Sequence, residues 1–271
     1  MPNIKIYILT HKQFDYKQSD IYEPLLNGSA LLDDDFGYTR DDTGDNISEL
    51  NPYYSELTGE YWAWKNSNAD IIGFCHYRRY FVNLPSRKKL EKKDIEKILK
   101  DYDIIMPQKR HFSMTNIEEI EESHVESDIC QTVEDYELLR KIIKEKTPEY
   151  LESFDEVLNE KEAYWFNSYI SKKEILDDYF EWMFTILEEF RKQTDFSKYD
   201  DGNMRVLGYL SERLINVYIK KNNLKVKEKF FYQTELIIPM LSLLGNKSPF
   251  FQNLFKKLAK FQNSLEFDKI W

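Results

Sequence analysis

The chain has 271 residues with a net charge of −10, 42% hydrophobic and 32% charged side chains. That composition supports a sizeable core and excludes a disordered chain. The acidic balance argues against nucleic acid as a partner, because binding a phosphate backbone needs a broad basic surface.

In chain order, residues 4–9 (IKIYIL) read as a first buried strand ending at Thr10-His11. No longer apolar run of the signal-peptide kind precedes it, and no stretch reaches the ~18 apolar residues of a membrane span. With only Cys75 and Cys130 available, no disulfide framework is expected. A reducing, cytoplasmic setting follows. An irregular stretch comes next, containing Asp33-Asp34-Asp35 and the loop DDTGDNIS at 41–48. Asn51-Pro52 reads as an N-cap and first-turn proline for a helix with Leu57, Tyr61 and Trp64 on one face. A second strand is expected at 70–77, a short helix from Asp94 to Lys100, and a third strand at 103–106 stopped by Pro107. This alternation predicts an α/β sheet.

The second half reads as mostly helical. Thr147-Pro148 opens a helix, and a strand-like segment at 163–170 runs into Ser171–Glu174, a capping box. Behind that box Ile175, Tyr179, Trp182, Ile186 and Phe190 form one stripe, and Leu207, Leu210, Leu214 and Val217 form another. The tail from Pro249 to Phe261 sets Phe251, Phe255 (or Leu254), Leu258 and Phe261 on one face, with Lys256, Lys257 and Lys260 on the other side or the flank. Such a basic amphipathic helix suits either an anionic membrane surface or packing on the parent domain. The expected organisation is one domain over 1–248, with an α/β part at 1–110 and a mostly helical part at 111–248, followed by the tail helix at 249–271.

Ligands of open α/β sheets sit beyond the carboxyl ends of the strands, where His76, Tyr77, Arg78 and Arg79 fall. Arginine suits a diphosphate because its planar fork makes paired charge-assisted hydrogen bonds. Alternation along an extended segment would send Arg78 and Arg79 to opposite sides, so one faces a ligand while the other pairs with an acid. The 41–48 loop offers either sugar-binding oxygens or a plain solvated turn. Asp33–Asp35 contains an Asp-x-Asp that does not follow a core strand, and an exposed acidic run is the simpler reading. The four histidines (His11, His76, His111, His124) lack metal-ligand spacing. His124 with Asp128, and Glu212 with Arg213 on a helix beside Arg205, are candidate acid–base or ion pairs.

Taken together, DDTGDNIS, NPYYSELTGEYWAWKN, GFCHYRRYF and RVLGYLSERL (205–214) resemble a bacterial family of capsular polysaccharide and exopolysaccharide biosynthesis glycosyltransferases, long catalogued as a domain of unknown function. The resemblance covers about residues 3–220, and YWFNSYIS (164–171) departs from it with Ser168 in place of a methionine pattern. It implies a GT-A-like, Rossmann-like nucleotide-sugar-binding sheet with a helical C-terminal part, and transfer of a sugar such as galactose or galactofuranose from a UDP-sugar. The implied acceptor is a lipid-linked glycan at the inner face of the plasma membrane. Arg78 or Arg79 with His76 would hold the diphosphate, either with Mn or Mg or without a metal. Thr10 and His11 would line the base or ribose. Asp45, Asn46 and Ser48 would hold ribose or donor sugar, braced by Trp62 or Trp64 with Lys65. Asp128 and Glu212 are the implied candidates for catalytic base if the enzyme inverts. The competing readings are a non-catalytic carbohydrate-binding or scaffold subunit and a nucleotidyltransferase.

Overall fold

The computed structural model describes residues 2–111, 116–123, 132–200 and 203–233. Asp128, the His124 pairing and the tail helix at 249–271 lie outside the described residues.

Strands β1 (Ile4–Thr10), β2 (Tyr22–Leu26) and β3 (Thr39–Arg40) are parallel and lie side by side. Helices α1 (Asn51–Tyr54) and α2 (Leu57–Asn66) lead to β4 (Ile71–His76), which pairs in parallel with the other edge of β1. Then follow β5 (Arg79–Asn83), β6 (Lys88–Lys89), α3 (Lys92–Ile98) and β7 (Ile104–Pro107). The second half supplies α4 (Ile117–Ser123), α5 (Val133–Lys146), α6 (Leu151–Leu158), β8 (Ile170–Lys172), α7 (Lys173–Gln193), α8 (Val206–Lys221) and β9 (Val226–Gln233). Among the described residues, nine strands form one mixed sheet in the order β3-β2-β1-β4-β8-β7-β9-β5-β6, with an added β4–β5 pairing that closes a ring of five. Strands from both sequence halves are therefore interleaved in the same sheet.

Period-two alternation decides which side chains face which layer. Tyr7, Leu9, Ile72, Phe74, Ile104 and Met106 face one core, shared with α5, α6, α7 and α8. Ile6, Ile8, Ile71, Cys75 and Ile105 face the other, closed by Ile95 and Leu99 around α3. The two expected helix stripes are met: Tyr179, Trp182, Ile186 and Phe190 of α7, and Leu207, Leu210, Leu214 and Val217 of α8, are buried, with Ile175 at the start of α7 half-buried.

Four expectations are corrected. The segment after His76 is not extended: Tyr77-Arg78 is a two-residue turn, and Arg79 pairs back to His76. The helix expected from Asn51 breaks at Ser55 (φ 50°), and Asn51 lies inside α1, where its amide donates to the Ser55 carbonyl at 2.8 Å. No capping box starts α7: Ser171 belongs to β8, and its hydroxyl donates to the Asp103 carbonyl at 2.6 Å. The 163–170 segment is no strand, because positive φ at Phe166 and Asn167 interrupts it.

Gly73, in the middle of β4, has no room for a side chain. A β-carbon there would stand 2.6 Å from Ile170 Cγ1 and 2.7 Å from Ile6 Cδ1. Overpacking at such a site costs about 1–3 kcal/mol. Gly73→Ala is therefore expected to lower Tm by roughly 3–10 °C in a thermal melt. An unchanged Tm would show that β4 and β8 do not meet as closely as described.

Candidate functional site

The carboxyl ends of β1, β4 and β7 lie along one edge, since β1 and β4 are parallel and β7 is related to β4 through the antiparallel β8. That edge collects His11 after β1, the Tyr77-Arg78 turn after β4 and Arg110 after β7. It also receives the start of β5 at Arg79 and the Phe166-Asn167 approach to β8. Helix α8 adds Glu212, and the α1–α2 junction adds Glu56.

Phe166 is the hub. The Arg79 guanidinium lies 4.3 Å from its ring centroid and the Arg110 guanidinium 5.4 Å. Among the described residues neither arginine makes an ion pair, and the Nε of each is out of solvent without a hydrogen-bond partner. Removal from water, added to the repulsion of Arg79, lowers the Arg110 pKa to about 10. Burial and the neighbouring Arg78 likewise lower that of Arg79. Two cations held this way cost the fold free energy, which an arriving anion would recover.

The hub is set by strained backbone. Phe166 has φ 80° and Asn167 φ 42°, the left-handed region that bulky side chains avoid. The conformation is pinned from three directions. Glu212 Oε1 accepts from the Phe166 N–H at 3.0 Å. The Asn167 amide donates to Glu56 Oε1 at 2.9 Å and to the Gly208 carbonyl at 3.0 Å. The Ser211 hydroxyl donates to Asn167 Oδ1 at 3.0 Å.

Burial, followed by repulsion from Glu56, raises the Glu212 carboxyl to about 7, against the Phe166 N–H bond, Arg79 and Arg213, which pull it down. His76 shifts the other way, to about 4, chiefly through burial and despite the opposing pull of Glu56. At neutral pH it is an uncharged imidazole that can give or take one hydrogen bond. Deeper still, Glu60 is fully buried and accepts from the Tyr169 hydroxyl at 2.5 Å. Burial raises its pKa well above the ordinary value, with Glu56 and Glu212 adding to the shift.

His11, His76, Arg78, Arg79 and Glu212 are thus brought to one edge of the sheet, Arg78 and Arg79 by the turn after β4 and not by an extended segment. His11 packs edge-on to Tyr77 at 5.7 Å, and Arg78 lies 5.0 Å from the same ring. The other expected site residues are placed differently. Thr10 is buried, and its hydroxyl donates to the Lys12 carbonyl at 2.6 Å, closing the turn after β1. Ser48 is fully buried and bonds Asp41, which also accepts from the N–H groups of Gly28 and Ser29. Its hydroxyl therefore shapes the loop from inside and cannot meet a ligand. Asp45 is tied to α2, accepting from the Tyr61 hydroxyl at 3.2 Å and from its backbone donating to Asn66 Oδ1. The Asn46 amide bonds the Gly44 carbonyl, and Trp62 Nε1 braces the loop through the Thr43 hydroxyl at 2.9 Å.

Lys65 sits 3.2 Å from the Trp64 ring centroid and lines a cavity of about 930 Å³ with Asp70 and Ile71. That cavity opens at the start of β4, five residues or about 17 Å from His76, so Lys65 does not share the arginine edge. The Asp33–Asp35 run forms turns in which Asp34 and Asp35 cap the N–H groups of Phe36 and Gly37. Among the described residues no group of three or more His, Cys, Asp or Glu side chains is placed to hold a metal ion.

Glu56, Arg110, Phe166 and Asn167 were not singled out by sequence reasoning. Arg110 had the one usable signal, three residues past Pro107 at a strand end.

A family model described as a domain of unknown function (DUF4422) matches residues 5–223. The chain belongs to this family. It is also similar in structure to the apo form of WbbM, described as a bifunctional glycosyltransferase, with 31% identity and a TM-score of 0.76 over 84% of this chain. The match spans 45% of the WbbM chain, so this chain corresponds to under half of that protein's length. No curated protein matches. Among the described residues no helix is long and apolar enough to cross a membrane.

The Glu60 carboxyl gives a stability test. Because its folded pKa is raised, its contribution is intact below the unfolded value near 4.3 and is lost as pH rises toward the folded one, by up to about 1.4 kcal/mol per pH unit. Glu60→Gln keeps an acceptor for Tyr169 and does not titrate. Its Tm advantage over the parent is expected to widen from pH 5 to pH 8, and a constant difference would show Glu60 to be ionised in the fold.

Proposed function

We propose that the chain is a glycosyltransferase that takes a nucleotide-sugar donor, with its diphosphate held by Arg79 and Arg110 on the Phe166 hub. The observation that carries the reading is this pair of half-buried arginines, each with Nε out of solvent and without ion-pair partners among the described residues, at the edge where the parallel strands β1, β4 and β7 end. The similarity to a bifunctional glycosyltransferase supports sugar transfer as the reaction class. When the glycosidic bond to the diphosphate breaks, negative charge grows on the leaving oxygen, and cations fixed beforehand stabilise it without reorganising. Arg78, at the tip of the turn, and neutral His76 as a hydrogen-bond donor complete the cradle. Since the guanidinium groups supply positive charge themselves, UDP binding is expected to persist in EDTA.

Glu212 is the group suited to accept the acceptor hydroxyl's proton. It lies beside Arg79, and a pKa near 7 is matched to general-base work at neutral pH. The base acts ionised, so turnover is expected to rise with pH through about 7. Glu212→Gln is expected to remove that limb and most of the activity while the protein stays folded. UDP-galactose is the donor we propose from the family resemblance, with a lipid-linked surface glycan as the acceptor.

Calorimetric titration with UDP tests the arginine pair. Arg79→Ala and Arg110→Ala are each expected to weaken binding by about 10- to 100-fold, the worth of one charged hydrogen-bonding group. Tm should hold or rise in both, because each substitution deletes a half-buried cation that lacks an ion-pair partner among the described residues. A large fall in Tm, with no UDP binding by the parent protein, would favour the scaffold reading instead.

A further inference from the structure

A chain of aromatic rings leads outward from the arginine edge. Tyr77, at the β4–β5 turn, packs against His76 at 5.9 Å and against Phe14 at 5.8 Å. Phe14 meets Tyr16 at 5.7 Å and Tyr38 at 5.6 Å, and Tyr38 meets Phe36 at 6.0 Å. These residues come from the irregular connection between β1 and β2 and from the acidic turn before β3.

Two features show that the rings are held in place. The Tyr38 hydroxyl accepts from the Phe14 N–H at 3.1 Å and donates to the Phe14 carbonyl at 2.9 Å, clamping the connection to the turn. Phe36 has φ 52°, held there by Asp34 Oδ1 accepting from its N–H at 2.9 Å. A phenylalanine is a costly choice for a left-handed position that glycine or asparagine would fill easily. The ring's presence there calls for a reason other than the turn. Tyr16 is 39% exposed, the most open ring of the set.

We propose that Phe14, Tyr16, Phe36 and Tyr38 form a sugar-binding shelf, on which a pyranose or furanose ring stacks while its neighbour is presented to the arginine edge. The inference rests on the transferase reading for its orientation, though the shelf itself is a separate set of residues. The negative faces of aromatic rings attract the polarised C–H faces of a sugar, as they attract cations and ring edges. Lys12 Nζ, 5.2 Å from the Tyr77 ring centroid, offers a donor for hydroxyl groups, and the exposed Asp34 carboxylate beside Phe36 offers an acceptor. Continuity through Tyr77 favours a substrate ring over an unrelated partner. That ring could belong to the donor's sugar or to the acceptor glycan.

Saturation-transfer NMR on the full chain tests this with UDP, UDP-galactose and a panel of neutral galactose, glucose and mannose oligosaccharides. The double variant Tyr16→Ala/Phe36→Gly removes two rings while relieving the backbone at position 36, and Tyr16→Phe serves as the conservative control. The expected result is transfer to ring C–H protons of an oligosaccharide or of the UDP-galactose sugar, weakened about tenfold in the double variant and retained in Tyr16→Phe. UDP affinity should not change. Signals from the oligosaccharides assign the shelf to the acceptor, and signals confined to UDP-galactose assign it to the donor sugar. Equal loss of UDP binding in the double variant would make the shelf a nucleobase site and overturn the proposal. Absence of any sugar signal that depends on the two rings would overturn it as well. A parent protein that binds sugars on these rings but not UDP would sink the arginine reading and leave the shelf standing.

Discussion

The structure turns on a repulsion. Arg79 and Arg110 bring two positive charges onto the ring of Phe166, half-buried, with each Nε out of solvent and, among the described residues, without ion-pair partners. Nothing in folding alone favours such a pair, since each cation would be better hydrated or bonded to a carboxylate. Nearby Glu56 and Glu212 soften the repulsion, but Glu212 spends a hydrogen bond on the Phe166 N–H and Glu56 one on the Asn167 side-chain amide. The carboxylates thereby fix the hub while leaving the arginines open to an external anion.

Holding that arrangement requires elements distant in sequence to meet within a few ångströms. The strained pair at Phe166-Asn167 is tied to α8 through Gly208, Ser211 and Glu212, and to the α1–α2 break through Glu56. The break itself has positive φ at Ser55. Unusual backbone thus gathers where the charged groups gather, which is the pattern expected when geometry is kept for chemistry at some cost to stability. The ordinary two-sided core of the sheet supplies the rigidity that makes such strain tolerable.

Much of this was legible in the amino-acid sequence, and the failures have physical causes. The strands β1, β4 and β7 and the stripes of α7 and α8 carry strong hydrophobic periodicity, so they were found. Arg78 and Arg79 stand out because two cations follow a buried strand. The assumption of continued extension failed because a two-residue turn leaves little trace when its residues are Tyr and Arg rather than Asn and Gly. β8 and β9 are short or strongly charged, and their pairing with β4 and β5 is long-range. The loop at 41–48 looked like a ligand loop, yet Asp41 and Ser48 are buried and bond the fold itself. Composition cannot separate a polar loop that binds from one that braces. Glu56, Arg110 and Phe166 acquire meaning only through their neighbours, and no local pattern announces that.

The most direct test is the position of UDP in a structure of the complex. The account predicts both diphosphate groups within hydrogen-bond reach of the Arg79 and Arg110 guanidinium groups, with Phe166 still left-handed beneath them. A diphosphate bound at another edge of the sheet, or arginines folded back onto Glu56 and Glu212 with the nucleotide elsewhere, would contradict it.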